Sequence, residues 1–240
     1  MTEPGVAPAG SGKRTPWWLA TMDERSFFYA GISSLFNLLF AAAKLVLFLL
    51  EPNLFLLANV LFSLGVGLAK ALAVGSYRRA RSSEHAAAPS AVAQYRAATK
   101  IGVVLTASAA LYVGLCLPLL LGKTVSVAFE PLVAEILALI AFVELGIAIT
   151  AAIRMRRSKQ PLVRSIRVVN VGSALVLLVL AQAAILSFAS DVESSWGVGV
   201  SAMIFGGATM LGGLSLVFHS ARRARALGPE SGGTESPSSI

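Results

Sequence analysis

Read for apolar and polar positions, the chain divides into six long apolar runs separated by polar connections. They lie at about Phe27 to Leu50, Leu54 to Gly75, Ile101 to Leu121, Pro131 to Arg154, Ile166 to Ser190 and Gly197 to His219. About 20 apolar residues cross the hydrocarbon core as a helix, so each run is long enough to span. A transmembrane barrel would show segments of roughly 10 residues with alternating apolar and polar positions, and no such segment is present. The pattern therefore predicts an all-α membrane protein, a bundle of six transmembrane helices forming one domain over residues 27–219. Residues 1–26 form an N-terminal segment in which Met1 to Thr15 is rich in Gly, Ala and Pro and is predicted to be disordered. Trp17 and Trp18 follow it, suited to the headgroup boundary where an indole is satisfied at both ends. Residues 220–240 open on Arg222, Arg223 and Arg225 and continue as a small, polar, disordered tail.

The connections alternate in charge. Tyr77 to Lys100 and Met155 to Arg164 are basic, whereas Glu51-Pro52-Asn53, Gly122 to Glu130 and Asp191 to Trp196 are short and poor in Lys and Arg. Of 20 Lys and Arg, 17 fall in the N-terminal segment, around the second and fourth connections, or after the last run. Lys44 and Lys70 lie within runs, and Lys123 alone falls in a connection on the other side. Positive-inside bias then places both termini in the cytoplasm. The stretch Glu130 to Lys159 carries most of this information, because it holds Glu135 and Glu144 inside an apolar run and stops at a basic cluster. The other runs can be arranged around it.

Composition supports the membrane reading. The chain is 56% hydrophobic and 13% charged, with mean hydropathy +0.75. A soluble domain carries about a quarter charged residues, so too little polar surface is available here for a water-soluble fold. The net charge of +8 invites a nucleic-acid reading, but the basic residues sit in clusters between apolar runs, so no nucleic-acid partner is expected. The N-terminus lacks a convincing signal peptide, since the short apolar stretch after Lys13 and Arg14 breaks at Asp23, Glu24 and Arg25. The expected location is a bacterial cytoplasmic (inner) membrane, multi-pass. The bilayer itself is the first partner, followed by a small cation or solute and by a second copy or another membrane protein. The single cysteine, Cys116, excludes a disulfide framework and a CxxC metal site, and reads as a small buried apolar side chain.

Two runs carry small residues at helical spacing: Ser63, Gly67 and Ala71 in the second, and Ala202, Gly206, Thr209 and Gly213 in the sixth. In lipid, close packing of small side chains drives helix association. Such stripes serve ordinary packing within one chain or an interface that slides or dimerises; packing within the chain is the expectation.

No HExxH, phosphate-cradling glycine loop or Ser–His–Asp set can be assembled, so the chain is read as no enzyme, with no cofactor and no metal site. His85 and His219 stand at cytoplasmic positions. The intramembrane polar residues form the candidate site: Glu144, Lys70, Glu135, Lys44, Asn37 and Asn59, with Asn170 and Gln182 as further amides. At about 1.5 Å rise per residue, Glu144 falls near the midplane and Glu135 nearer the outer boundary, level with Lys44. Lys70 lies toward the inner side. Depth permits two ion pairs, Lys44 with Glu135 and Lys70 with Glu144; either lysine can instead snorkel to headgroups, and Lys44 can meet Glu51. An unpaired charge at mid-membrane costs roughly 3 kcal/mol, so pairing or protonation is expected. Glu144 is then either a proton- or cation-binding carboxylate on a transport path or one of several groups holding the bundle in register.

The segment FNLLFAAAKLVLFLLEPNLFLLANVLFSL resembles the opening of cation diffusion facilitators. In that family an Asn and a Lys on helix one precede a turn and a second helix with Ser-x-x-Leu-x-x-Asp. Asn37, Lys44 and the Leu56 to Asn59 tetrapeptide stand at corresponding places. The family's metal ligands are not carried over: its Asp is Asn59 here, the fifth run has no His-xxx-Asp, and no metal-binding domain follows the sixth. Over about Phe27 to Val217 the chain is more similar to uncharacterised bacterial six-helix membrane proteins, which share a basic fourth connection and a fifth helix of the type seen around Gln182 from Val179 to Phe188. The resulting expectation is an integral membrane protein that transports a small solute or ion. The alternative is a non-transporting structural or regulatory subunit that docks a partner. A polar cavity around Glu144 would favour the first, and a dry, packed interior the second.

Overall fold

The computed structural model describes residues 35, 38–50, 52–82, 91–121, 131–154, 160–189 and 194–227. Among the described residues there are six helices and no strand: α1 (Leu38–Leu50), α2 (Leu54–Ser82), α3 (Ala91–Leu120), α4 (Pro131–Arg154), α5 (Pro161–Ala189) and α6 (Ser194–Ala226). Four segments, Leu54–Arg79, Ala91–Leu120, Pro161–Leu186 and Trp196–Ala226, are long and apolar enough to cross a membrane, while α1 is shorter. Residues 1–34 and 228–240 lie outside the described residues; they hold the whole predicted N-terminal segment 1–26 with Trp17 and Trp18, the start of the first run, and the predicted C-terminal tail except its basic opening, which continues α6 to Ala226.

Local chemistry accounts for three of the helix starts and for one end. Asn53 caps α2, its Oδ1 accepting from the Leu56 N–H at 2.8 Å, which satisfies one of the orphan donors of the first turn. Pro131 and Pro161 open α4 and α5, where a missing N–H costs nothing and φ is already set. Near the end of α3, Pro118 removes a donor only one turn before the helix stops, and the chain closes with a tight Leu121 N–H to Pro118 carbonyl bond of 3.2 Å.

The helices outrun the apolar stretches that announced them. Most of the basic connection expected from Tyr77 to Lys100 is helix, as α2 continues to Ser82 and α3 already begins at Ala91. The hydrocarbon core limits how long a run must be apolar, not how far a helix extends into the interface. The sequence AVAQYRAATK is rich in good helix formers and sustains the extra turns.

The centre of the bundle is the packing of α3 against α6, with α2 on α3 and α5 on α6. One face of α3, Ala98, Ile101, Leu105, Ala109, Tyr112, Cys116 and Leu119, is buried at spacings of three and four. Glycines bring the two backbones together. A Cβ on Gly102 would fall 3.0 Å from the Gly213 carbonyl oxygen, one on Gly213 3.0 Å from the Thr106 nitrogen, and one on Gly199 3.1 Å from the Leu120 nitrogen. On the α2 side, the Phe62 and Tyr112 rings meet at 5.6 Å with planes tilted by 56°. A Cβ on Gly172 of α5 would stand 2.6 Å from Thr209 Cγ2 of α6. The α6 stripe Ala202, Gly206, Thr209 and Gly213 is thus buried within the chain. On α2 only Ser63 turns inward; Ala71 is exposed, and a Cβ on Gly67 would meet nothing within 4 Å.

Helix α4 is not the element around which the others gather. It packs on α5, burying Ala134, Ala138, Ala141 and Ala148, while Leu132, Ile136, Leu139, Phe142, Val143 and Ile147 are exposed. Small side chains on one face permit close approach to a neighbour, and large apolar ones on the other suit lipid.

Candidate functional site

The short α1 brings a charge into the interior. Its Ala41 and Lys44 are buried, whereas Leu45, Val46, Leu49 and Leu50 face outward. Lys44 is only 4% exposed, and its Nζ donates to Ser63 Oγ of α2 at 2.9 Å. Beside this bond lies a small cavity, ≈ 10 Å³ of space for water centres, lined by Phe40 and Lys44 from α1, Phe62 and Ser63 from α2, and Ser173, Val176 and Leu177 from α5. That is about enough for one water.

Ser63 differs from six other hydroxyls of the described helices. Thr99, Thr106, Ser108, Thr150, Ser165 and Thr209 each donate to the carbonyl four residues earlier, at 2.8–3.0 Å, the usual way a hydroxyl is satisfied inside an apolar helix. Ser63 instead accepts from an ammonium.

Buried polar residues extend from this point along α2, where Asn59, Ser63 and Lys70 are spaced by four and seven residues and so share one side of the helix. Asn59 Nδ2 donates to the Phe55 carbonyl at 2.9 Å. Its Oδ1, like Asn170 Oδ1 on α5 and Tyr112 Oη on α3, is buried with no oxygen or nitrogen partner among the described residues. Lys70 is 1% exposed and engaged in a polar contact.

The predicted site residues therefore separate. Lys44, Asn59 and Lys70 are buried in the bundle, with Lys44 seated on Ser63. Glu135 stands exposed on α4. Glu144 belongs to α4, but its side chain lies outside the described residues, as does Asn37. Among the described residues no group of three His, Cys, Asp or Glu could hold a metal ion. Sequence reasoning treated Ser63 only as a small packing residue and did not single out Ser173, Phe40 or Phe62. The one available signal was that Ser63 lies four residues after Asn59, on the same helical side.

The chain matches no family model, and no curated protein or solved structure is significantly similar to it. Fold and site together define a class: among the described residues, an all-helical protein with four helices suited to crossing a membrane and a buried lysine–serine contact between α1 and α2, beside a small cavity that α5 also lines.

Proposed function

We propose that the chain is a six-span protein of a bacterial cytoplasmic membrane, with both termini inside, that binds and moves a small ion or polar solute at the contact of α1, α2 and α5. The observation that carries this is the burial of the Lys44 ammonium beside Ser63, next to a cavity also lined by Ser173. A charge held within the hydrocarbon region is costly and marks a functional path by default. Glu144 enters the reading as a carboxylate on α4 able to couple movement to protons.

A second reading, a structural or regulatory subunit docking a membrane partner or a second copy, is favoured by the closeness of α3 to α6. Backbone atoms 3.0–3.2 Å from the glycine Cβ positions leave those helices little room to slide. Flux through proteoliposomes containing the full chain separates the two, using a panel of cations, halides and small amines. The transport reading expects uptake that falls at least tenfold in Lys44→Met and loses its pH dependence in Glu144→Gln, with both variants folded. Absence of flux of every probe in the wild type overturns it and leaves the subunit reading.

A further inference from the structure

We propose that the basic end of the α5–α6 seam, where Arg164 stands near His219 and Arg223, binds the phosphate of an anionic phospholipid whose acyl chain runs along Phe218 and Leu211. The inference goes beyond transport and draws on the proposed topology only for the leaflet that supplies the lipid. The seam is set by packing further along the two helices. A Cβ on Gly172 would stand 2.6 Å from Thr209 Cγ2, and one on Gly212 3.3 Å from Val168 Cγ1. Gly172, Val168 and Arg164 follow one another at spacings of four, and Gly212, Leu216, His219 and Arg223 at spacings of four, three and four, so each row keeps to one side of its helix. The rows meet again at the helix ends, where the Arg164 and Arg223 guanidiniums both lie close enough to His219 for their charges to act on it. Arg164 is half-buried there, while His219, Arg222 and Arg223 are exposed.

Among the described residues no carboxylate offsets this charge. The acidic ones, Glu135 and Glu144, both belong to α4, and Glu144 stands ten residues before that helix ends at Arg154, about 15 Å of rise away. Arg223 and Arg225 fall in the last turn of α6, where cations suit the negative end of a helix. Arg164 has no such reason for its place. It is the fourth residue of α5, at the positive end of that helix, with the Arg223 charge close by across His219. An anion between the two guanidiniums reverses both unfavourable effects, and phosphate accepts paired N–H bonds from guanidinium. What adjoins the charge points to a lipid rather than to free phosphate. Leu211 and Phe218 are exposed on one line of α6, and Arg222 continues that line one turn on, beside His219 and Arg223. Exposed apolar side chains that end at guanidiniums match an acyl chain and its headgroup, and basic clusters between membrane helices take anionic headgroups.

The test titrates the full-length protein in a mild detergent with phosphatidylglycerol, phosphatidylcholine or inorganic phosphate, counting bound molecules by native mass spectrometry and following thermal unfolding. Phosphatidylglycerol is expected to bind saturably, at least tenfold tighter than phosphatidylcholine, and to raise Tm. Arg164→Gln combined with Arg223→Gln should weaken it at least tenfold and abolish the rise in Tm. Arg96→Gln, which removes an exposed charge from α3 at the same end of the bundle, should leave binding unchanged. Phe218→Ala should weaken long-chain phosphatidylglycerol several-fold and spare a short-chain form. Arg223→Gln and Phe218→Ala alter exposed side chains, so they keep the inference falsifiable if Arg164→Gln does not fold. Equal affinity for the two lipids, or an equal loss in Arg96→Gln, overturns the inference and reduces the attraction to net charge. Inorganic phosphate that displaces the lipid from the same arginines, with Phe218→Ala silent, overturns the lipid and leaves a free phosphate site. No saturable binding of any probe overturns it and leaves the seam to an acidic protein partner. None of these readouts depends on flux or on the leaflet, so the transport reading and the topology stand or fall separately.

Discussion

Replacing Gly213 by Ala tests whether the bundle is built on the α3–α6 backbone contact. In an open helix interior, Gly to Ala is favourable by about 1 kcal/mol, because Ala restricts the unfolded chain and suits the helix. At Gly213 the added methyl would sit 2.5 Å from Thr106 Oγ1, 3.0 Å from the Thr106 nitrogen and 3.2 Å from the Gly102 carbonyl oxygen. The last two atoms are backbone and cannot rotate away. Thr106 Oγ1 is itself held by its 2.8 Å bond to that same Gly102 carbonyl, so moving it forfeits a hydrogen bond worth about 1 kcal/mol. Overpacking of this kind costs about 1–3 kcal/mol, and the net expectation is a loss of roughly 1–2 kcal/mol after the propensity gain. Gly207, on the same helix, has nothing within 4 Å of its Cβ position, so Gly207→Ala should gain up to about 1 kcal/mol. For a chain of this size 1 kcal/mol corresponds to about 2–4 °C in Tm. The two variants should therefore melt apart by several degrees, on opposite sides of the wild type. The assay is thermal unfolding in one detergent, read by a thiol-reactive dye that reports exposure of buried Cys116. A Gly213→Ala protein that melts at or above Gly207→Ala would refute the close-contact account of this interface.

Tyr112→Phe removes a buried hydroxyl without an oxygen or nitrogen partner, and stability should stay level or rise by up to about 1 kcal/mol; a clear fall would reveal a partner for Oη. Ser63→Ala removes one acceptor of the buried Lys44 ammonium and should lower stability by about 1–2 kcal/mol, an expectation that an unchanged melt contradicts. Cys116 should resist maleimide in the native protein and react after denaturation in sodium dodecyl sulfate, since it is buried on α3. In a Cys116→Ala background, cysteines placed within 122–130 or 191–193 should label from outside intact cells. Those within 83–90 should not, and the reverse pattern would invert the proposed topology.

Crossing a membrane as a helix demands a minimum length of apolar sequence, and hydropathy is a property of the chain taken one residue after another. For that reason the order and approximate position of all six helices, the all-α class and the inward burial of the α6 glycine stripe were legible in the amino-acid sequence. Where each helix ends was less so, because interfacial residues such as Arg96 and Lys100 are compatible with helix and with loop, and α3 uses them as helix. Neighbour relations were not legible. Among apolar helices in lipid, partner choice depends on which small residues meet, as Gly102 and Gly213 do, and that matching exists only between elements far apart in the chain. The two glutamates drew attention to α4, yet the structure places that helix outside the central α3–α6 pair with alanines as its buried contacts. Lys44 was visible as a charge in a run. That it donates to Ser63 was decided by where α1 lies against α2 and α5, because equal depth in a bilayer constrains distance along one axis and leaves the other two to packing.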